Sequence, residues 1–332
     1  MKILIKIYKM NKVGLVLFCS IFIVSCATQK DMKKKKLEAR EVVLVADSTG
    51  FPFNYSEPIY KVGIALSGGG GRGFAHAGVL RAMDELGIKP QIIAGTSAGS
   101  IAGALYASGV APNQMLDAFR RIRFIQVPRF RIFGSKDTVE DSPNKQDRYI
   151  FLKTHNLARI LEANIPVRTF EELKIPLVVN ATKMASGQNI YFTKGELRRP
   201  VVASSAVPML FRPVNIDGYD FVDGGVMQNL PVLPIRKACK YVIAVDVNPI
   251  EDFSAQNKIV GSEWERVFKL MIRANTLRDK DAADLFIQPL ELINFNIFDT
   301  KHGEEMYWIG YNAAKHALEK FVKEHPDILE GN

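Results

Sequence analysis

A serine carried as Gly95-Thr96-Ser97-Ala98-Gly99 stands between a short apolar run, Gln91-Ile92-Ile93-Ala94, and an alanine-rich segment, Ser100 to Leu105. Gly-x-Ser-x-Gly between a strand and a helix is the setting of a nucleophile elbow. Gly95 and Gly99 let the chain turn sharply with no Cβ beside the serine. The turn displays the hydroxyl at a helix N-terminus, where backbone N–H groups and the helix dipole favour negative charge. An ordinary glycine-rich βα turn has the same spelling, so the rest of the chain has to decide.

Upstream, Lys61 to Leu66 reads as a buried strand running into Ser67-Gly68-Gly69-Gly70-Gly71-Arg72-Gly73, then an amphipathic segment, Phe74 to Leu86. Five glycines in six positions leave backbone N–H groups to face a ligand. Gly68-x-Gly70-x-x-Gly73 also matches a dinucleotide fingerprint, but that site wants an acid at the end of the next strand. This chain has Gly95-Thr96-Ser97 there. An oxyanion hole is the better reading. Two βα turns in succession, 27 residues from Gly68 to Gly95, suggest neighbouring parallel strands on a right-handed crossover with their carboxyl ends at one crevice. The N–H groups of Gly69, Gly70 and Gly71 would then surround the negative oxygen formed when Ser97 attacks an ester, each donor worth roughly 3 kcal/mol in the transition state.

Serine hydrolases usually move the proton through a histidine. The chain has His76, His155, His302, His316 and His325, and none follows a buried strand in a turn. His302, in Asp299-Thr300-Lys301-His302-Gly303, is the loop position, with Asp223 or Asp246 ahead of it in triad order. The alternative is that Asp223 acts on Ser97 directly. It ends the short strand Tyr219-Asp220-Phe221-Val222-Asp223, where Gly224 and Gly225 let the backbone pass closely. An aspartate in water has a pKa near ~4 and is a feeble base; burial raises it.

The elements that must position these residues follow the same alternation. Strand signals return at Ile175–Thr182 and Gln188–Phe192; Val201-Val202-Ala203-Ser204-Ser205-Ala206-Val207-Pro208 follows, and Tyr241–Val247 is the last strong buried strand. Ser262-Glu263-Trp264-Glu265 opens a helix with a capping box, and Tyr307 to Phe321 reads as the closing helix. Between the elbow helix and Ile175, Arg120 to Phe133 interleaves basic and aromatic residues, as a helix end with its loop or as a membrane-surface stretch.

Gly-Gly-Gly-x-Arg-Gly at 68–73, Gly-Thr-Ser-Ala-Gly at 95–99, Ala203 to Pro208 and Asp-Gly-Gly at 223–225 occur in the order and context of the patatin-like phospholipases. The chain resembles that family over roughly residues 60–320. The resemblance implies an α/β class protein, a three-layer α/β/α fold with a mainly parallel central sheet. It implies hydrolysis of glycerolipid acyl esters by a Ser–Asp dyad, Ser97 as nucleophile and Asp223 as base. Gly69, Gly70 and Gly71 match the oxyanion loop, and Arg72 matches the arginine that props it. Ser67 departs from the aspartate often found before the glycines. An acyltransferase would use the same dyad, and a Ser-His-Asp esterase of α/β-hydrolase type is the other enzyme reading. No cofactor motif and no metal cluster accompanies these residues.

With 332 residues, 47% of them hydrophobic, the chain can bury one large core or two small ones. The net charge is +9, but residues 1–36 hold nine lysines and one acid, a balance of +8 that leaves +1 for the rest. A basic groove for nucleic acid is not implied. Lysines at 2, 6, 9 and 12 precede an apolar run, Val13 to Val24, that reads as a secretory signal and is short of the ~20 residues of a bilayer span. Ile23-Val24-Ser25-Cys26 resembles the lipobox of bacterial lipoproteins. The expected organisation is a signal peptide over 1–25, a tether over 26–58 anchored through lipidated Cys26 and carrying Lys33 to Lys36, and a hydrolase domain over 59–332. Phospholipid or lysophospholipid is the expected substrate, and the bacterial cell envelope, outside the cytoplasm, the expected location. Cys239, just before an apolar strand, reads as a packed thiol. Replacing Cys26 with serine is expected to leave the precursor unlipidated and uncleaved at that position, which mass spectrometry of the N-terminal peptide checks.

Overall fold

In the computed structural model, residues 45–47, 53, 56–121, 154–249 and 263–329 are described. Cys26, the signal and most of the tether lie outside them, as does the Arg/Phe-rich stretch beyond Arg121. The strands are β1 Val45–Asp47, β2 Tyr60–Leu66, β3 Ile92–Gly95, β4 Leu177–Lys183, β5 Gln188–Phe192, β6 Val214–Ile216, β7 Tyr219–Asp223, β8 Cys239–Val245 and β9 Leu285–Ile287. The helices are α1 Phe74–Glu85, α2 Ala98–Ala107, α3 Pro112–Arg121, α4 Thr154–Asn164, α5 Arg198–Ser204, α6 Leu233–Arg236, α7 Glu263–Lys280 and α8 Gly303–Glu324.

The strands join in one sheet in the order β1-β5-β4-β3-β2-β8-β9, with the β6–β7 hairpin attached through β7 to β4. The centre is parallel: β2 pairs in that sense with β3 and β8, β4 with β3, and β9 with β8. Central strands covered on both faces need apolar side chains on both, and the sequence supplies them. Val62, Ile64 and Leu66 of β2 are fully buried. Ala65, on the other face, joins Ile92, Ala94, Val178, Val242 and Ala244 in a cluster closed by Leu230, Val232 and Ile235 around α6. Helices thus flank a mostly parallel sheet, as the sequence leads one to expect.

Two details depart from the sequence reading. Val201 to Ser204, opening the run before Asp223, is helical rather than extended. Its valines favour strand by propensity, but Val201, Val202 and Ala203 are buried in α5, so packing outweighs that weak preference. Residues 45–47, inside the expected tether, form an edge strand antiparallel to β5; three residues are too few to carry a period-2 signal.

The helix after the glycine loop is held from outside by α8. A Cβ at Gly78 would collide with the Tyr307 carbonyl oxygen, and one at Gly310 with that of Ala75. The two glycines therefore let α1 and α8 cross backbone to backbone. Gly310→Val is expected to lower unfolding stability by about 1–3 kcal/mol through overpacking, read as a shift in the urea midpoint.

Candidate active site

The site is assembled on one edge of β4. Over its first half that edge pairs with β3, with Val179 opposite Gly95; over its second half it pairs with β7, with Ala181 opposite Asp223. Two strands from opposite directions therefore end two residues apart on a common neighbour, about 7 Å along the strand. Ser97 leaves the end of β3 and Asp223 the end of β7, and both side chains line one cleft.

Ser97 sits at φ 51°, ψ −119°, a strained backbone for a residue with a Cβ. Its N–H is held by the Ser204 hydroxyl at 2.9 Å. Gly99 permits the elbow, because a Cβ there would run into the Leu66 carbonyl oxygen. Gly95 is equally pressed, against the Gly99 backbone. On the other side, the Asp223 N–H donates to Ala206 at 2.9 Å, and its carbonyl accepts from the Thr182 hydroxyl at 3.1 Å. The Asp223 carboxylate accepts from the Gly225 N–H at 2.7 Å. Gly224 packs against Asn180, where a side chain would not fit.

Asp223 is 2% exposed. Burial pushes its pKa up to about 7, against the opposing pull of the hydrogen bonds from Gly225 and Ser97. A carboxylate so placed exchanges its proton near neutrality, as a base for a hydroxyl must.

The glycine loop lies across from this pair. Gly68, Gly69 and Gly70 line the same cleft as Ser97 and Asp223. Its remaining walls are mostly apolar: Val207, Leu210, Phe211, Phe268, Ile272, Ile297 and Phe298. The N–H groups of Gly69 and Gly70 meet no protein acceptor among the described residues. Gly71 corrects the expectation of three donors, since its N–H is taken by the Ile297 carbonyl at 2.6 Å. That bond anchors the loop on the segment before α8. Arg72 is fully buried and does not line the cleft. Its Nε and Nη2 donate to the Phe295 carbonyl at 3.0 and 2.7 Å, so it props the same segment. Gly73 closes against Ala98 at the start of α2.

Side chains that carry no motif brace the loop. Ser67 accepts the Val247 N–H at 3.0 Å through its hydroxyl, and its carbonyl meets His76 Nε2 at 2.8 Å. Burial holds His76 down to about 4, so it is a neutral strut. Asn248 donates to the Gly68 carbonyl, and Asn229 accepts the Gly68 N–H at 3.1 Å through its backbone. From α7, Asn275 receives the Asn229 N–H at 2.8 Å and donates to the Gly225 carbonyl at 2.9 Å. Asp279 accepts from Gln228 and from the N–H groups of Val232 and Leu233. Asn248 had a visible signal, since it follows a parallel strand at its carboxyl end. Asn275 and Asp279 had none, because their partners lie some 46 to 51 residues away in the chain.

The histidine candidate goes elsewhere. His302 is exposed and its Nδ1 lies 2.7 Å from Asp299; it does not line the cleft. Asp246 spends its oxygens on Asn248 and Gln288. Cys239 is a buried thiol pushed up to about 12 by that burial, consistent with a packed role. A buried acid whose folded pKa lies above its unfolded value favours folding fully only below about 4, and that advantage is lost as the pH rises through about 7. Asp223→Asn is therefore expected to be more stable than the wild type at pH 8, by up to roughly 4 kcal/mol for a shift from 3.8 to about 7, and so to unfold at a higher temperature. The gap should close as the pH falls toward 4, and calorimetry across that range checks it.

Known proteins share parts of this sequence. A 26% identical stretch of 292 residues is shared with lysophospholipase nte1 of Aspergillus fumigatus, covering 79% of this chain and 18% of the fungal one. An uncharacterised NTE family protein of Mycobacterium tuberculosis is 30% identical over 224 residues, 67% of this chain and 59% of its own. The chain thus spans under a fifth of the fungal relative and somewhat over half of the mycobacterial one. The crystal structure of VipD from Legionella pneumophila superposes with a TM-score of 0.44 at 16% identity, over 85% of this chain and 70% of that one. The patatin-like phospholipase family profile matches residues 64–236, just over half of the sequence and the whole span from β2 through the elbow and Asp223 to α6, and the chain belongs to that family.

Proposed function

We propose that the chain is a serine acyl hydrolase that cleaves phospholipid or lysophospholipid esters through an acyl-enzyme on Ser97. The observation that carries the reading is that Ser97 and the buried Asp223 carboxylate line one largely apolar cleft together with Gly69 and Gly70, whose N–H groups meet no acceptor among the described residues. In the first half-reaction, Ser97 Oγ attacks the ester carbonyl carbon as its proton passes to Asp223. The negative charge that develops on the carbonyl oxygen meets the two glycine N–H groups, preorganised and shielded from water. Collapse breaks the ester bond, and the departing glycerol oxygen takes the proton from Asp223. Water then gives a proton to Asp223 and attacks the acyl carbon, and the returning proton frees Ser97. Phe211, Phe298 and the aliphatic side chains beside them suit an acyl chain, and the name of the Aspergillus relative supports a lysophospholipid substrate. A lipid on Cys26 would keep the domain at a membrane, where such substrates are.

Ser97→Ala is expected to abolish ester turnover and fluorophosphonate labelling with the fold intact. Asp223→Asn should be about as damaging, because residues acting as a unit do not lose activity additively. The acid limb of kcat/KM should fall near pH 7, where Asp223 gives up its proton, and should be unmoved by His302→Ala. A correctly folded His302→Ala chain without activity, beside an active Asp223→Asn chain, would overturn the dyad.

A further inference from the structure

We propose that the outer face of α7 is a docking surface for an anionic lipid bilayer. The helix is apolar on two sides. Its inner side supplies Phe268 and Ile272 to the cleft and is tied to the site by Asn275 and Asp279. Its outer side leaves Val267 65%, Leu270 47% and Leu277 50% exposed, with Ala274 exposed between the leucines. Positions 267, 270, 274 and 277 recur at three- and four-residue steps, so they form one continuous stripe along the helix. A contiguous exposed apolar stripe, unlike single scattered apolar residues, is the kind of surface that interaction sites use.

Charge identifies the occupant. The helix carries five basic side chains and three acids: Glu263 and Glu265 stand in its first turn, and Asp279 is fully buried and paired with Arg278, so the exposed stretch from 266 to 280 is basic. An apolar stripe bordered by lysine and arginine fits an interface between hydrocarbon and anionic headgroups. It does not fit a second copy, because a two-fold contact would set like charges against each other. The same argument disfavours the chain's own N-terminal stretch, at +8 over residues 1–36. The choice of a lipid surface over another anionic partner rests on reading the cleft as an acyl-ester site. Met227, 42% exposed, follows the Gly224–Val226 turn that Asn275 holds, so α7 connects the docked face to the catalytic turn without an intervening element.

The test is hydroxyl-radical footprinting of the full chain carrying Ser97→Ala, with and without vesicles of phosphatidylglycerol and phosphatidylcholine. Oxidation of Leu270 and Leu277 should fall severalfold on the anionic vesicles, while Trp308 and Leu329, also exposed, stay as reactive as before. Unchanged oxidation of α7 overturns the proposal. So does protection already present without lipid, whether lost on dilution, as for a second copy, or independent of it, as for another segment of the chain. Footprinting needs no turnover, so it stands even if the acyl hydrolase reading fails. In the active chain, Leu270→Glu with Leu277→Glu should cut hydrolysis of vesicle lipid by at least about tenfold, on the free energy of withdrawing leucine from water, and leave a short soluble ester unaffected. Equal losses on both substrates would return the stripe to packing and overturn the proposal.

Discussion

Asp223 is a carboxylic acid sealed in the sheet's edge, with the Gly225 N–H donating to its carboxylate and the Ser97 hydroxyl as its other polar neighbour. Removing such a group from water costs several kcal/mol when it is charged. The surrounding structure tolerates that cost by fixing both neighbours. Gly225 is placed by the turn after β7, and Ser97 by a strained elbow after β3. Both strands are fixed by β4, which pairs with each in turn along one edge. A slip of one residue in either register would turn the side chain to the opposite face of the sheet. The near-neutral pKa of the acid is therefore a property of the sheet's pairing as much as of the aspartate.

The glycine loop depends on a second set of constraints. A loop that offers free N–H groups has given up the bonds that would otherwise hold it, so its other atoms must be held more firmly. Gly71 and the buried Arg72 side chain secure it to residues 295–297, and Asn248, His76 and Ser67 hold its beginning. Within the loop, the Gly69 and Gly70 N–H groups are left without an acceptor among the described residues. Preorganisation of this kind makes a hydrogen bond worth more in a transition state than in water.

Helix α7 links these constraints to the surface. Its inner polar residues satisfy backbone groups of the turn after Asp223, and its inner apolar residues wall the cleft. Its outer face is apolar and basic. Any partner that settles on that face is one helix diameter, about 10 Å, from the reacting groups.

The sequence by itself determined the parts that local chemistry dictates. Gly95, Gly99 and the glycines at 68–73 are legible because a sharp elbow and an N–H-lined loop permit few other residues. The buried parallel strands are legible because covering both faces demands continuous apolar runs. From the residues alone, Asp223 acting on Ser97 was one alternative beside a histidine relay, and the resemblance favoured it; nothing in the spacing of 126 residues between Ser97 and Asp223 says that their strands share β4. Tertiary structure decided which expected donors are free, removing Gly71 through a carbonyl more than 200 residues away in the chain. It turned Val201–Ser204 into a helix against local propensity, and it brought Asn275 and Asp279 under the turns that follow Asp223. It also separated the two apolar sides of α7 into a cleft wall and an exposed stripe. Those outcomes depend on which surfaces meet, and a linear pattern of residue types records periodicity and turn chemistry but not the partner across the gap.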